Sequence, residues 1–189
     1  MTYKSQKHKR RSIRLKEYDY SFPGWYYVTI CTNNRKNIFG RITNGKMIYN
    51  PAGFIVKEEW TKTKEIRKNI DLDYYVIMPN HLHGIIIIEQ SIDGRGELNS
   101  SKDNNTRRMK YAPTDDKFKS PVQTLGAIVR GFKSSVTKRL RELNNDLKLT
   151  VWQRNYYEHI IRNDYDLHRI RTYIRNNHIK WYVDEYYNA

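Results

Sequence analysis

Two histidines stand two residues apart in the segment Met78-Pro79-Asn80-His81-Leu82-His83-Gly84, which runs directly into four isoleucines. In an extended backbone, alternate side chains point to the same side, so His81 and His83 can converge on one ion. The apolar run that follows indicates a strand buried on both faces. The pattern predicts a metal site where a loop enters a rigid strand.

A tyrosine and an asparagine stand four residues apart near the C-terminus. In a helix this spacing places Tyr173 and Asn177 on one face, one turn apart. If both approach the histidines, Asn177 could complete a metal shell and Tyr173 could aim its hydroxyl at a phosphate. A phenol with a pKa near ~10 is a poor nucleophile at neutral pH, but a nearby cation favours the phenolate. Attack at phosphorus would displace a sugar 3′ hydroxyl and leave a covalent phosphotyrosine.

Other residues compete for these roles on chemistry alone. His159 could be a third ligand, which would suit a zinc hydrolase built on three histidines, or it could be a core residue. The other tyrosines that could act as nucleophile are Tyr156, Tyr157, Tyr182, Tyr186 and Tyr187. Spacing does not choose among them.

The charge of the chain points to a polyanionic partner. The 189 residues carry a formal net charge of +15, which favours nucleic acid first and an anionic membrane surface second. Cys31 is the single cysteine, so the chain forms no internal disulfide. No apolar run is long enough to cross a bilayer, and the sequence predicts a cytoplasmic protein.

Apolar periodicity predicts the elements that position these residues. Strands are expected at 24–32, 73–78, from His83 onward and at 156–162, with a short strand or hairpin within 41–49. Helices are expected from about 51 to 69, from Ser120-Pro121 to about 143, and after an Asn163 cap. This order predicts an α+β fold with a mainly antiparallel sheet and helices packed on it.

Two stretches do not fit these elements. Residues 1–20 are predicted to be a basic arm, and residues 91–119, which have almost no periodicity, are predicted to be a long flexible loop. Residues 21–189 are predicted to form a single domain.

The motifs together resemble the REP-associated tyrosine transposases, relatives of the single-tyrosine insertion-sequence transposases of the HUH nuclease class. That class is named for two histidines flanking an apolar residue, here His81-Leu82-His83. The other matching blocks are Arg11-Ser12-Ile13-Arg14-Leu15, Tyr27-Val28-Thr29-Ile30-Cys31-Thr32, Phe132-Lys133-Ser134, residues 152–162 and Tyr173-Ile174-Arg175-Asn176-Asn177. The resemblance covers nearly the whole chain except residues 91–119.

The resemblance implies a ferredoxin-like HUH fold and metal-dependent nicking and joining of single-stranded DNA through a 5′-phosphotyrosine. It implies Tyr173 as the nucleophile, with His81, His83 and Asn177 as ligands of Mg²⁺ or Mn²⁺. Paired imidazoles suit manganese better, since magnesium prefers oxygen. A hairpin of repeat DNA is the expected substrate, acted on by a monomer or a homodimer.

Five basic residues are predicted to contact the DNA: Arg14, Arg130, Lys133, Arg154 and Arg162. Tyrosines such as Tyr26 or Tyr157 could stack on unpaired bases. An alternative hypothesis is a binding protein that descends from a transposase and holds structured nucleic acid without cutting it. The intact residues His81, His83, Tyr173 and Asn177 favour the enzyme.

Overall fold

The computed structural model describes residue 20, residues 22–89 and residues 124–187. The predicted basic arm with Arg14, except Tyr20, and the predicted loop at 91–119 lie outside the described residues. The strands and helices in chain order are β1 (Gly24–Cys31), β2 (Gly40–Thr43), β3 (Lys46–Tyr49), α1 (Pro51–Ile66), β4 (Ile70–Ile77), β5 (His81–Ile88), α2 (Leu125–Asn144), β6 (Tyr157–Ile161) and α3 (Asp164–Asn176).

Four strands form one antiparallel sheet in the order β4-β5-β1-β6, while β2 and β3 form a separate hairpin. Without the hairpin and the last helix, α3, the chain order is strand, helix, strand, strand, helix, strand. That order and this arrangement of strands define the ferredoxin-like topology. The predicted α+β fold, an antiparallel sheet with helices packed on it, is confirmed.

The two faces of the sheet are packed against different helices. α1 and α2 cover one face and build the larger apolar core, in which Trp60 of α1 contacts Phe132 of α2. α3 lies on the other face, where Ile170 and Ile174 pack with Tyr27 and its neighbours. The central strand β5 between these layers is therefore buried on both sides, as predicted from its run of isoleucines.

Gly84 brings α1 against the back of β5. A Cβ at this position would lie 2.3 Å from Cζ2 of Trp60, so only glycine leaves room for the indole. Leu82 and Ile86, on the same side of β5, are fully buried. Because side chains alternate along a strand, His81 and His83 face the opposite layer, which contains α3.

Ionic and aromatic contacts fasten α3 to the sheet. The Arg171 Nε donates to Asp73 Oδ2 at 2.7 Å, and its guanidinium lies over the rings of Trp25 and Tyr74. One turn later, Arg175 donates to the Tyr74 hydroxyl at 3.0 Å. These contacts hold the helix that carries Tyr173 in a fixed position over β4 and β1.

Two helix boundaries differ from the predictions. α2 begins at Leu125, because Thr124 is extended and its hydroxyl accepts from the Ala127 N–H as the N-cap. The Ser120-Pro121 signal lies outside the described residues. α1 ends at Ile66 rather than near 69, because Arg67 takes an extended conformation before the turn into β4.

β4 begins at Ile70, three residues before the predicted start at Asp73. A register irregularity between Leu72 and Tyr75 interrupts the alternation that would reveal the first half of the strand. The acidic residues there are paired, Asp71 with Lys64 and Asp73 with Arg171. Among the described residues, no helix combines the length and the apolar character needed to span a bilayer.

Candidate active site

The paired histidines open β5 and face the layer of α3. Their ring centroids are 4.5 Å apart, and both side chains are fully buried. A hydrogen bond from the Met78 N–H to the His81 carbonyl closes the tight turn before them. The convergence predicted from their spacing is therefore present in the structure.

The protonation pattern of His81 follows from its neighbour Asn80. The Asn80 amide donates to the carbonyls of Arg35 at 3.1 Å and Tyr186 at 2.8 Å, which fixes its Oδ1 toward the imidazole. That oxygen lies 2.7 Å from His81 Nδ1, which must carry the proton to donate to it. The Nε2 lone pair is then free, and this buried atom has no hydrogen-bond partner among the described residues.

His83 is oriented by two hydroxyls of β1. Its Nδ1 lies 2.9 Å from Thr29 Oγ1 and 2.8 Å from Tyr27 Oη, and either oxygen can accept a hydrogen bond from the Nδ1–H. Its Nε2 points toward α3, where the Tyr173 hydroxyl lies 3.3 Å away. In histidines that ligate metals, the ring nitrogen that does not bind the metal typically donates a hydrogen bond to an oxygen.

Burial keeps both imidazoles neutral. Desolvation, and then the positive charge of Arg35, lowers the pKa of His81 to about 3. Desolvation, and then the neighbouring His81, lowers the pKa of His83 well below its ordinary value. Neutral imidazole is the form that binds a metal, so the pair is ready to do so at neutral pH.

Tyr173 reaches this pair from α3 of the same chain. Its side chain is 41% exposed, so the phenol contacts both the histidine and solvent. Burial, followed by the negative charges of Asp184 and Glu185, raises the pKa of the Tyr173 phenol, while Asn177 opposes this rise. Tyr27 also contacts His83, but it is 9% exposed and lies on the Nδ1 side.

Asn177 lies one turn after Tyr173 and is buried beside the histidines. Its amide nitrogen donates to Asp184 Oδ2 at 2.8 Å, which fixes the orientation of the side chain. Its Oδ1 is buried and has no hydrogen-bond partner among the described residues. The Asn177 side chain also acts to raise the pKa of His81, so the two groups are neighbours.

Asp184 is a site residue that the sequence analysis missed. A carboxylate oxygen of Asp184 and one nitrogen each of His81 and His83 lie within 4.8 Å of one another. Asp184 follows the 3₁₀ turn at Trp181–Val183, outside any long helix or strand, so no periodicity marks it. Asp184 stands seven residues after Asn177, whose amide donates a hydrogen bond to it. This short separation in sequence is the signal that could have indicated Asp184.

These donors fit a divalent cation. His81 Nε2 and Asn177 Oδ1 are buried atoms with free lone pairs and no hydrogen-bond partner among the described residues, and such atoms are costly unless something binds them. A set of two imidazoles, one amide oxygen and one carboxylate mixes nitrogen with oxygen. Such a set is suited to manganese more than to magnesium, which prefers oxygen alone.

Residues 181–187 close one side of the site. The Tyr186 ring centroid lies 4.8 Å from that of His81, and Arg35 stacks over the Tyr186 ring. The Arg35 guanidinium also donates to the Glu185 carbonyl at 2.9 Å. The C-terminal segment is thus bonded to the β1 side of the molecule and forms a wall of the site.

The other predicted site residues lie apart from this cluster. His159 is on β6 with its Nε2 2.6 Å from Asp166 Oδ2, so the proposed triad of histidines does not form. Lys133 donates to the carbonyls of Gln153, Arg154 and Asn155, and therefore fastens their loop to α2. The remaining predicted DNA contacts that are described, all exposed, are Arg130, Arg154 and Arg162.

Comparison with known proteins finds a relative with a similar amino-acid sequence. No protein-family model matches the chain. An uncharacterized protein of Haemophilus influenzae is 42% identical over 180 residues, covering 95% of this chain and 94% of that protein. The chain therefore belongs to the same family as this Haemophilus protein.

Comparison with solved structures identifies the fold. A structure of a REP-associated tyrosine transposase bound to a REP hairpin matches with a TM-score of 0.54. The match covers 88% of this chain and 73% of the transposase chain, at 19% sequence identity. The chain therefore shares the fold of this transposase, as the resemblance of the motifs implied.

Proposed function

We propose that this protein nicks and rejoins single-stranded DNA through a covalent bond to Tyr173. The observation that carries the proposal is the position of the Tyr173 hydroxyl. The Tyr173 side chain is partly exposed, and its hydroxyl lies 3.3 Å from Nε2 of His83 within one chain. A nucleophile must lie beside the group that holds the phosphate, and Tyr173 meets this requirement without a second subunit.

The proposed reaction conserves the energy of the broken bond. The Tyr173 oxygen attacks the phosphorus and loses its proton, while the bond from phosphorus to the 3′ oxygen breaks. The 3′ oxygen leaves with a proton, and the 5′ phosphate remains on the tyrosine. Attack by a 3′ hydroxyl on this phosphotyrosine joins a strand and releases the phenol, so no nucleotide cofactor is required.

A divalent cation, Mn²⁺ or Mg²⁺, would be held by His81, His83 and Asn177, with Asp184 as an additional ligand. When bound, it polarises a phosphoryl oxygen and favours the phenolate form of the tyrosine. The surrounding side chains have a different role, which is to position the metal ligands and the nucleophile. Asn80 and Thr29 orient the imidazoles, and the contacts of α3 with β4 hold Tyr173 in place.

DNA is the partner that the charge and the fold support best. A net charge of +15 supplies affinity for phosphate backbones. The structure with the same fold holds a REP hairpin. We therefore propose a hairpin with single-stranded flanks as the substrate, contacted by Arg130, Arg154 and Arg162.

The test is formation of a protein–DNA adduct. A pool of hairpin oligonucleotides with randomised single-stranded flanks, labelled at the 3′ end, is incubated with protein and Mn²⁺ and run on a denaturing gel. The label should migrate with the protein, because the 5′ phosphate side of the nick stays on Tyr173. Tyr173→Phe should abolish the adduct, a loss of about 1,000-fold or more, and should retain hairpin binding.

A matched control is Tyr165→Phe, a fully exposed tyrosine on the first turn of the same helix. It should form the adduct as the unaltered protein does. An adduct that persists in Tyr173→Phe would refute the assignment of the nucleophile. Tight hairpin binding with no adduct under any metal condition would instead favour the alternative, a protein that binds DNA without cutting it.

A further inference from the structure

We propose that the cleft beside Tyr173 binds one unpaired nucleotide and that Tyr157 stacks on its base. The inference rests on the proposed function, because it places a nucleotide of the cleaved strand next to the nucleophile. Nothing in the HUH motif or in the metal ligands requires this cleft. It is built from β1, β6, α3 and residues 185–186.

The cleft has the size and walls expected for such a site. Its volume is about 610 Å³, and its lining residues include Thr29, Tyr157, His159, Arg169 and Tyr173. A ligand that fills the cleft would therefore lie against Thr29 of β1 and against the Tyr173 side chain.

Strand register places Tyr157 in line with the metal-binding residues. Thr29 of β1 pairs with His83 of β5 on one side and with Tyr157 of β6 on the other. Directly paired residues share a face, so these three side chains form a row on the α3 side of the sheet. Two strand spacings separate the ends of the row by roughly 10 Å, which leaves room for one nucleotide between them.

Tyr157 presents aromatic surface to this space. Its side chain is 46% exposed, and its ring meets Tyr27 edge to face at a centroid distance of 6.1 Å. That contact steadies the ring and leaves nearly half of the side chain accessible. The other candidate for stacking, Tyr26, is fully buried with its hydroxyl bonded to the Phe22 carbonyl, so it cannot meet a base.

The charges around the cleft favour a base over a phosphate. Arg169 donates to the carboxylate of Asp166 at 2.7 Å, so the positive charge of Arg169 is largely matched. His159 Nε2 lies 2.6 Å from the same carboxylate. Glu185 adds negative charge to the lining. A phosphate would find little unmatched positive charge here, whereas a neutral base gains contact with an aromatic ring.

The experiment compares two single-stranded probes in protein that cannot form the adduct. Fluorescein-labelled oligo(dT) of 12 nucleotides and a 12-mer of abasic units are titrated by anisotropy, at one fixed salt concentration, into protein carrying Tyr173→Phe. In this background, Tyr157→Ala should weaken oligo(dT) binding about fivefold or more. It should leave binding of the abasic 12-mer unchanged, because that probe has no base to stack.

Two further variants separate stacking from other effects. Tyr157→Phe keeps the ring and should bind oligo(dT) as the parent does. Tyr165→Ala removes an exposed tyrosine outside the cleft and should also bind as the parent does. Thermal melting of each variant checks that the fold is retained, and Tyr157→Leu replaces Tyr157→Ala if the alanine variant does not fold.

The proposal is overturned if Tyr157→Ala binds oligo(dT) as tightly as the parent, or if it weakens both probes equally. It is also overturned if ultraviolet crosslinking of 5-iodouracil oligonucleotides to the unaltered protein labels only peptides outside the cleft. Because none of these measurements depends on cleavage, they stand whether or not Tyr173 forms an adduct. An adduct that forms normally in Tyr157→Ala, with unchanged binding, would reject the cleft and keep the nucleophile.

Discussion

The two faces of the sheet differ in what they bury. The face under α1 and α2 buries apolar side chains in close contact, such as Trp60 against Gly84. The face under α3 buries His81, His83 and Asn177, including polar atoms that lack partners among the described residues. An unpartnered buried polar atom costs free energy, and in the described part of the chain the α1 and α2 face also carries one, Nε1 of Trp60. On the α3 face the unpartnered atoms belong to side chains that can bind a metal, so there the lost stability accompanies reactive groups.

This contrast predicts that substitutions on the two faces will change different properties of the protein. Changes on the α1 and α2 face should lower stability and affect chemistry only through loss of folded protein. Changes on the α3 face should alter metal binding and pH response while they leave stability at neutral pH nearly unchanged.

The largest effect on stability at neutral pH is expected from Gly84→Ala. The new methyl group would lie 2.3 Å from the Trp60 indole, and overpacking of this kind costs about 1–3 kcal/mol of unfolding free energy. Urea denaturation measures the loss. Trp60→Phe makes room, so the double variant should be less destabilised than the sum of the two single variants. Simple additivity of the two changes would show that the steric conflict is absent.

The next effect concerns the stability of metal-free protein in acid. The pKa of folded His81 is about 3, below the ordinary value of 6.5, so the unfolded state binds the proton first. Stability is therefore full above pH 6.5 and falls as the pH is lowered toward 3, by about 1.4 kcal/mol per pH unit for this histidine. Denaturation at several pH values in the presence of a chelator measures the slope.

His81→Gln should flatten that slope between pH 6 and 4. The exposed His168, changed to Gln, is the matched control and should leave the slope as it was. Equal slopes in the His81→Gln variant and the unaltered protein would mean that this imidazole is not buried as described.

The smallest change in stability is expected from Asn177→Leu. Leucine has a similar volume. It removes the buried oxygen that lacks a partner but also the hydrogen bond to Asp184, and these effects oppose each other, so the metal-free protein should change by less than about 1 kcal/mol. Affinity for Mn²⁺, measured by calorimetry, should fall about tenfold or more because a ligand is lost. Unchanged Mn²⁺ affinity would exclude Asn177 from the metal shell and leave Asp184 as its oxygen ligand.

Local spacing accounts for the part of the site that could be predicted from sequence. His81 and His83 share a face because a strand alternates, and Tyr173 and Asn177 share a face because a helix turns every 3.6 residues. The strands and helices also follow from apolar periodicity, which needs only residues that are close together in the chain. The antiparallel sheet follows from the order of these elements.

The missed features depend on distant or irregular segments. Tyr27 and Thr29 orient His83 across 56 and 54 residues, a contact that strand order creates and spacing does not reveal. Asp184 lies in a C-terminal segment without a long regular element. Lys133 was predicted to contact DNA from its charge alone, and only the fold shows that backbone carbonyls surround its ammonium group.

The central claim is that the α3 face carries the nucleophile, and peptide mapping of the DNA adduct tests it most directly. Cleavage by trypsin after Arg171 and Arg175 releases residues 172–175, in which Tyr173 is the single tyrosine. After nuclease digestion, mass spectrometry should find a phosphonucleotide on this peptide. A phosphonucleotide on a peptide that contains Tyr157 or Tyr186, with residues 172–175 unmodified, would contradict the account.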